Sequence, residues 1–457
     1  MMLIGNSYLC IRKLYKSLII MKRISILLLN LLVLAIASAQ IRGNSITVTV
    51  TPDHKDWNYR VGEKCQFTVN VLRSGTLVDN VKVDYEAGPE MYPEVKKTGV
   101  MLKNGTMKWT GKMTKPGFYR LKVTAHVDGR DYQAWCTAGY NVEEIKPTTV
   151  EPIDFDEFWT NTLKEARNTS LEPTCELWAE KCTDQVKVYL VCFQNIRWGS
   201  RTYGVLSVPS KPGKYPALLR VPGAGIRPYP GDQWMASKGM ITLEIGIHGI
   251  PVNFTQDYYD KLFNGALNKY WENNLGDRDK NYYKRVVVGC VRAVDYIAEM
   301  DQWDGKNLCV TGSSQGGFLS LATAALDKRV SCYGAVHAAM CDYTAALEGT
   351  ACGWPHYFYD YAKAKARDVA YAKEHSKEIE ASRYYDGVNF ARRITCPGWF
   401  SFGYNDDVVP PTTAFATYNS VKAPKEVHPY QQTAHFWYQE QWDEWNEWIC
   451  NQLGVIY

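Results

Sequence analysis

Residues 312–317 read Gly-Ser-Ser-Gln-Gly-Gly, a Gly-x-Ser-x-Gly pattern centred on Ser314. A serine hydroxyl attacks a carbonyl only when a neighbouring base takes its proton and an acid orients that base. The pattern alone arises by chance in many chains. Here an apolar run over 308–311 precedes it and a helical stretch over 316–326 follows. A sharp strand-to-helix turn there projects the central side chain, and Gly312 and Gly316 let the backbone pass closely. Ser313 is off-centre and is excluded. In such a setting the acid and then the histidine follow the serine along the chain. After an apolar run at 399–402 comes Gly403-Tyr404-Asn405-Asp406-Asp407, where Asp406 is the expected acid and Asp407 the alternative. Only His428 and His435 lie beyond. His428 falls inside a strand-like run over 426–430, whereas His435 falls in the loop after it and is the expected base. A developing oxyanion needs two donors. They are expected from the backbone N–H of Gln315 and from the loop Pro222-Gly223-Ala224-Gly225, at Ala224.

A sheet must hold these groups. From residue 148 onward, apolar runs at 217–221, 240–247, 308–311, 332–336 and 399–402 alternate with helical patterns. Residues 282–300 carry Val286, Val287, Cys290, Val294 and Ile297 at helical spacing. Asp154 is placed to cap a helix bearing Phe155, Phe158, Trp159 and Leu163. Such alternation predicts a doubly wound, mostly parallel sheet of the α/β-hydrolase kind. Two aromatic excursions, 252–281 and 341–392, interrupt it. They read either as a lid or substrate cap or as packing surface. Trp354 and Tyr357 in the second, and His248 ahead of the first, are candidate substrate contacts; for His248 the structural histidine is the favoured reading and the site contact the alternative. Before residue 148 the pattern differs. Runs at 45–51, 64–72, 82–85, 106–110, 117–127 and 132–142 alternate apolar and polar residues between turn signals such as Asn104-Gly105. About seven strands in about 100 residues suggest an immunoglobulin-like sandwich. The expected division is 40–147, sandwich and linker, and 148–457, α/β domain.

Composition narrows the classes. The chain has 457 residues and a net charge of +4, but residues 1–39 hold five Lys or Arg and no acid. The remainder has 47 basic and 48 acidic residues, a net of −1. That balance gives no electrostatic case for nucleic acid or an anionic membrane surface. Residues 1–39 read as an export signal: Met21-Lys22-Arg23, an apolar run over 24–36, then Ala37-Ser38-Ala39. Met21 is an alternative start. The expectation is an exported protein, periplasmic or extracellular, with no stable membrane insertion. Among the 13 cysteines no Cys-x-x-Cys pair or His/Cys cluster has metal-ligand spacing, so no metal is expected. Cys65 and Cys136 are either a disulfide or two buried thiols.

From about residue 150 onward the chain resembles the acetyl xylan esterase / cephalosporin-C deacetylase family of carbohydrate esterases. The likeness is carried by 152–159, Pro-Ile-Asp-Phe-Asp-Glu-Phe-Trp, by Tyr282-Tyr283-Lys284-Arg285-Val286, by the elbow at 312–317 and by the Asp406 loop with Pro410-Pro411. The resemblance implies a serine esterase that removes acetyl groups from a carbohydrate such as xylan. It places the nucleophile on Ser314, an oxyanion N–H on Gln315, the acid on Asp406 and the base on His435, and it needs no cofactor. Three departures bear on the substrate pocket: His248-Gly249-Ile250 stands for the family's Arg-Gly-Gln, His435-Phe436 for its His-Glu, and Ala224 for its aromatic oxyanion-loop residue. Alternatives on the same fold are a serine peptidase or an esterase for bulkier acyl groups. An alternative of another class is a non-catalytic sugar-binding protein.

Overall fold

The computed structural model describes residues 45–457, so the expected export signal lies outside the described residues. Among the described residues, Val48–Val71 with Leu77–Tyr457 form one compact unit, which holds the α/β region and most of the β-rich region.

In the β-rich region the alternating runs become β1 (Ile46–Thr51), β2 (Asn58–Tyr59), β3 (Cys65–Arg73), β4 (Thr76–Leu77), β5 (Val81–Pro89), β6 (Val95–Leu102), β7 (Thr106–Gly111), β8 (Gly117–Val127) and β9 (Arg130–Tyr140). They form two sheets, one of β1, β3, β4 and β7 and one ordered β2-β9-β8-β5-β6. The sheets face each other: Phe67 of β3 stacks on Tyr119 of β8 with ring centroids 6.0 Å apart. Strand β6 was not legible from alternation. It is an edge strand with mostly exposed side chains, and its register comes from pairing with β5 rather than from an apolar face. Cys65 and Cys136 are free thiols buried between the sheets, and burial pushes the Cys65 thiol up to about 12.

The α/β region is built on β10 (Thr174–Leu177), β11 (Val186–Gln194), β12 (Arg201–Pro209), β13 (Tyr215–Arg220), β14 (Ile241–Gly246), β15 (Trp303–Ser313), β16 (Cys332–Val336), β17 (Gly398–Phe402) and β18 (Lys425–Pro429). The order is β10-β11-β12-β14-β13-β15-β16-β17-β18. The first three pairings are antiparallel and the other five parallel. This is the expected doubly wound sheet of an α/β-hydrolase. The order reverses at β13, which lies between β14 and β15. The carboxyl ends of β13 and β15 therefore form the switch point, the place where such sheets bind ligands.

Both faces of the sheet's centre are covered, which is why strands β13 to β17 are largely apolar. Leu218, Cys309, Val336 and Trp399 meet Trp445, Trp448 and Ile449 of the helix Gln439–Leu453. The helix Tyr282–Ala298 packs on β12 to β15 and on the helix Gln315–Leu326. Ser320 and Thr323 in that buried second helix return their hydroxyls to the carbonyls of Gly316 and Leu319, at 2.8 and 2.7 Å. Asp154 departs from expectation. It stands at the N-cap of Phe155–Arg167 but makes no side-chain cap bond; its carboxylate takes Arg278 at 2.6 Å and the Tyr384 hydroxyl. A charged guanidinium outcompetes a backbone N–H for a carboxylate. This contact also joins the two excursions. They fold into short helices, and Tyr385 donates to the Arg278 carbonyl. No helix among the described residues is long and apolar enough to cross a membrane.

Asp295 pins three elements. Its carboxylate accepts Arg167 and Arg292 at 2.9 and 3.0 Å, and Arg329 as well. Burial alone would raise its pKa; the hydrogen bonds and charges of Arg167 and Arg329 outweigh that and hold it low. Asp295→Ala leaves Arg292, itself 4% exposed, without its counter-ion. Urea unfolding is expected to show a loss of about 3–5 kcal/mol. A loss under about 1 kcal/mol, the value of an exposed pair, would refute this reading.

Candidate active site

Strand β15 ends at Ser313 and the helix begins at Gln315, so Ser314 occupies the turn between them with φ 61° and ψ −123°. Positive φ is costly for any residue with a Cβ. The chain is forced into it because neighbouring backbone presses from both sides. A Cβ on Gly312 or Gly316 would collide with the Val221 carbonyl, and one on Gly317 would lie 2.7 Å from Ala338 Cα. The Ser314 carbonyl accepts Gly317 N–H at 2.9 Å and Ala339 N–H at 3.0 Å, which locks the turn.

The loop after β17 and the loop after β18 bring the other two expected groups to it. His435 Nε2 lies 3.0 Å from Ser314 Oγ, and its Nδ1 lies 2.8 Å from Asp406 Oδ2. Asp406 is completely buried. Its Oδ1 accepts the N–H groups of Val408 and Val409 at 2.9 and 2.8 Å. Burial by itself would raise its pKa. Hydrogen bonds from His337 and His435, with their charge, outweigh that and hold the carboxyl well below the usual carboxylate range. An ionised carboxylate only accepts, so His435 carries its proton on Nδ1 and presents a bare Nε2 to the serine hydroxyl. Such a row can draw the proton from the hydroxyl as it attacks. Asp407, the alternative acid, is exposed and lines an outer cleft of about 340 Å³. His428 stays in β18, 3.3 Å from Glu426.

The loop 222–225 passes Ser314 closely, since a Cβ on Gly223 would come within 3.9 Å of Ser314 Cβ. The first N–H groups of a helix have no partner inside it, which leaves that of Gln315 open at the turn. The Gln315 side chain does a second task. Its Oε1 accepts the hydroxyls of Tyr270 and Tyr283 at 2.7 and 2.8 Å, and its Nε2 donates to the Pro222 carbonyl at 3.2 Å. Tyr270 in turn accepts Gly225 N–H at 3.3 Å. His248 joins this frame, with Nε2 3.0 Å from the Gly225 carbonyl and Nδ1 2.7 Å from the Tyr282 hydroxyl. Burial pushes it down to about 4, so at neutral pH it is uncharged. Both of its nitrogens are thus occupied, one on the loop and the other on the helix Tyr282–Ala298. Trp354 rests on Trp271 with ring centroids 5.2 Å apart, and Tyr357 donates to the Trp271 carbonyl, so the second excursion packs on the first.

The sequence reading passed over two contributors. His337, one residue beyond β16, places Nδ1 3.1 Å from Asp406 Oδ2. A histidine at the carboxyl end of the strand beside the serine's strand is a signal that could have found it. The β-rich region is the other. Trp135 Nε1 donates to the Asn405 carbonyl at 2.8 Å, and Thr137 Oγ1 to Asn405 Oδ1 at 3.1 Å. Arg120 donates to the carbonyls of Asp406 and Tyr404 at 2.9 and 3.3 Å. Asn405 passes the grip onward, its two N–H groups reaching the carbonyls of Thr433 and Gln432 at 3.2 and 3.3 Å. Gly403 is pressed against the Thr433 carbonyl, with no room for a Cβ. No sequence motif signals contacts that join residues 270 positions apart.

His337, Asp406 and His435 are also the one group of His, Cys and acidic residues with metal-ligand spacing among the described residues, their ligand atoms lying within 4.8 Å. Those atoms are already paired, each Nδ1 against the same carboxylate oxygen, so the donor set does not fit an ion.

Comparison with known proteins points in one direction. Residues 140–452 match the family described as acetyl xylan esterase. The chain is 40% identical over 391 residues to Acetyl esterase Axe7A of Xylanibacter ruminicola, covering 84% of this chain and 85% of that protein. Among solved structures, acetyl xylan esterase from Paenibacillus sp. R4 superposes with a TM-score of 0.57 at 28% identity, over 67% of this chain and 97% of that one. Acetyl xylan esterase 1 from Thermoanaerobacterium sp. JW/SL YS485 shares the fold, with a TM-score of 0.54 at 23% identity over 68% of this chain and 97% of that one.

Two substitutions test the frame. Trp135→Phe removes one hydrogen bond to the acid loop and is expected to lower kcat/KM on an aryl acetate about fivefold, the equivalent of about 1 kcal/mol. An unchanged rate would show that the β-rich region does not hold the loop. Gly403→Ala forces the acid and histidine loops apart, and a stability loss of about 1–3 kcal/mol is expected in thermal or urea melts. A melt matching the unsubstituted protein would rule out the close approach at Thr433.

Proposed function

The chain belongs to the acetyl xylan esterase family and is a carboxylic-ester hydrolase, and from that premise we propose that it removes acetyl groups from an acetylated carbohydrate, xylan or a related oligosaccharide, through a Ser314-His435-Asp406 triad. The observation that carries this reading is the unbroken row from Ser314 Oγ through His435 to Asp406, at 3.0 and 2.8 Å.

In this mechanism Ser314 Oγ attacks the acetyl carbonyl while His435 Nε2 takes its proton. Asp406 stabilises the imidazolium and stays ionised. The carbonyl oxygen becomes an oxyanion held by the N–H groups of Gln315 and Ala224, and loss of one such donor costs about a hundred- to a thousand-fold in rate. The tetrahedral intermediate collapses as His435 protonates the departing sugar oxygen, which leaves acetyl-Ser314. Water, deprotonated by His435, then releases acetate and restores the serine. Trp354 and Tyr357 are proposed as the wall against which the sugar lies.

Ser314→Ala is expected to lower kcat on p-nitrophenyl acetate at least about ten-thousandfold without loss of folding. Retained turnover would remove Ser314 from the mechanism. Acetate release from acetylated xylan, measured beside longer acyl esters and a dipeptide amide, tests the substrate. The xylan reading requires the acetylated polysaccharide to be preferred, and faster cleavage of the amide would overturn it.

A further inference from the structure

Three costs meet at His337. It is 1% exposed. Its φ is 45°, in the left-handed region that a residue with a Cβ avoids. Its Nε2 is buried with no hydrogen-bond partner among the described residues. Among these residues its side chain makes one polar contact, Nδ1 on Asp406 Oδ2, at 3.1 Å. That is the oxygen that also receives His435 Nδ1 at 2.8 Å. The other oxygen is filled by Val408 and Val409 N–H, so the carboxylate is already oriented without His337. The rings of the two histidines stand edge to face, 5.4 Å apart. Because the carboxylate is acceptor-only, both Nδ1 atoms donate to the same oxygen.

We propose that His337 is a positioning residue that shares the charge of Asp406 Oδ2 with His435, and so sets how far into the acid range the activity extends. The inference rests on the triad reading above. A carboxylate stabilises the imidazolium beside it in proportion to the charge it can direct there. A second N–H on the same oxygen draws part of that charge away. The esterase then works further into the acid range. Other charged or titratable groups surround this pair: Arg120 from β8, Glu90 after β5, Asp407 on the acid loop and His356 from the second excursion. Burial pushes Glu90 up to about 7, against the pull of Arg120 and Thr412. All four are retained when only His337 is replaced, so a difference between variants reports His337 alone.

The test is the pH dependence of kcat/KM on p-nitrophenyl acetate for the unsubstituted protein, His337→Ala and His337→Asn. Removing the donor returns charge to His435, so His337→Ala is expected to move the acid limb upward by about one pH unit. KM and the plateau kcat should stay within about threefold. Asparagine tolerates positive φ and offers an N–H near the place of Nδ1, so His337→Asn should restore the limb. A limb in His337→Ala that superimposes on that of the unsubstituted protein overturns the proposal. So does a shift in His337→Asn as large as in His337→Ala, which would make the effect one of packing. A second measurement does not depend on either variant folding. In protein labelled with 15N-histidine, two strongly downfield Nδ1 protons are expected, and His435→Ala should leave one; a spectrum with none left sinks the idea. Ser314→Ala is the control: if it remains active, the triad reading has failed, whatever His337 does.

Discussion

The fold in this region is organised around one buried anion. Asp406 has no exposure to solvent, and a carboxylate in that position persists as a charge only if hydrogen-bond donors replace the water it has lost. Four do so, two backbone N–H groups of its own loop and two imidazoles from elsewhere in the chain. The contact of His435 Nδ1 with this carboxylate sets which nitrogen it turns to Ser314. The tautomer, the direction of the imidazole and the depressed acidity of Asp406 are therefore consequences of a single desolvated charge.

Keeping that charge dry requires a lid over the acid loop, and the β-rich region supplies it. Arg120, Trp135 and Thr137 use the polar backbone and side-chain groups of residues 404–406 that would otherwise be buried without partners. Asn405 continues the chain of hydrogen bonds to the loop that carries His435. The two strand-end loops are thus tied to each other and braced from outside the α/β sheet. This gives the N-terminal region a part in the geometry of the site, separate from any ability to bind glycan.

Strain sits at the carboxyl ends of neighbouring strands. Ser314 after β15 and His337 after β16 both hold positive φ. The glycines at 312, 316 and 317 let the surrounding backbone close in tightly enough to hold the first of these. A parallel sheet covered on both faces can carry such strain because its core does not relax around it.

Much of this was legible in the amino-acid order. Elbow, acid and histidine are each announced locally, by small residues around Ser314, by a carboxylate just past an apolar strand, and by a histidine outside the last ladder. Alternation with helical stretches gave the doubly wound sheet. Edge strands such as β6 and β10 left no trace, because a strand that faces water on both sides needs no apolar pattern. Nor did the capping role read into Asp154 survive, since a partner more than a hundred positions away outbid the local N–H. The sequence by itself determined which residues are candidates for chemistry and which segments of the buried sheet and its helices would form, because those follow from side-chain type and short-range periodicity. Only the tertiary structure decided that His337 shares the acid with His435, that His248 braces a loop, and that Arg120 and Trp135 grip residues 404–406. Hydrogen bonds between distant segments depend on where the folded core brings the chain back upon itself, and spacing along the chain does not encode that.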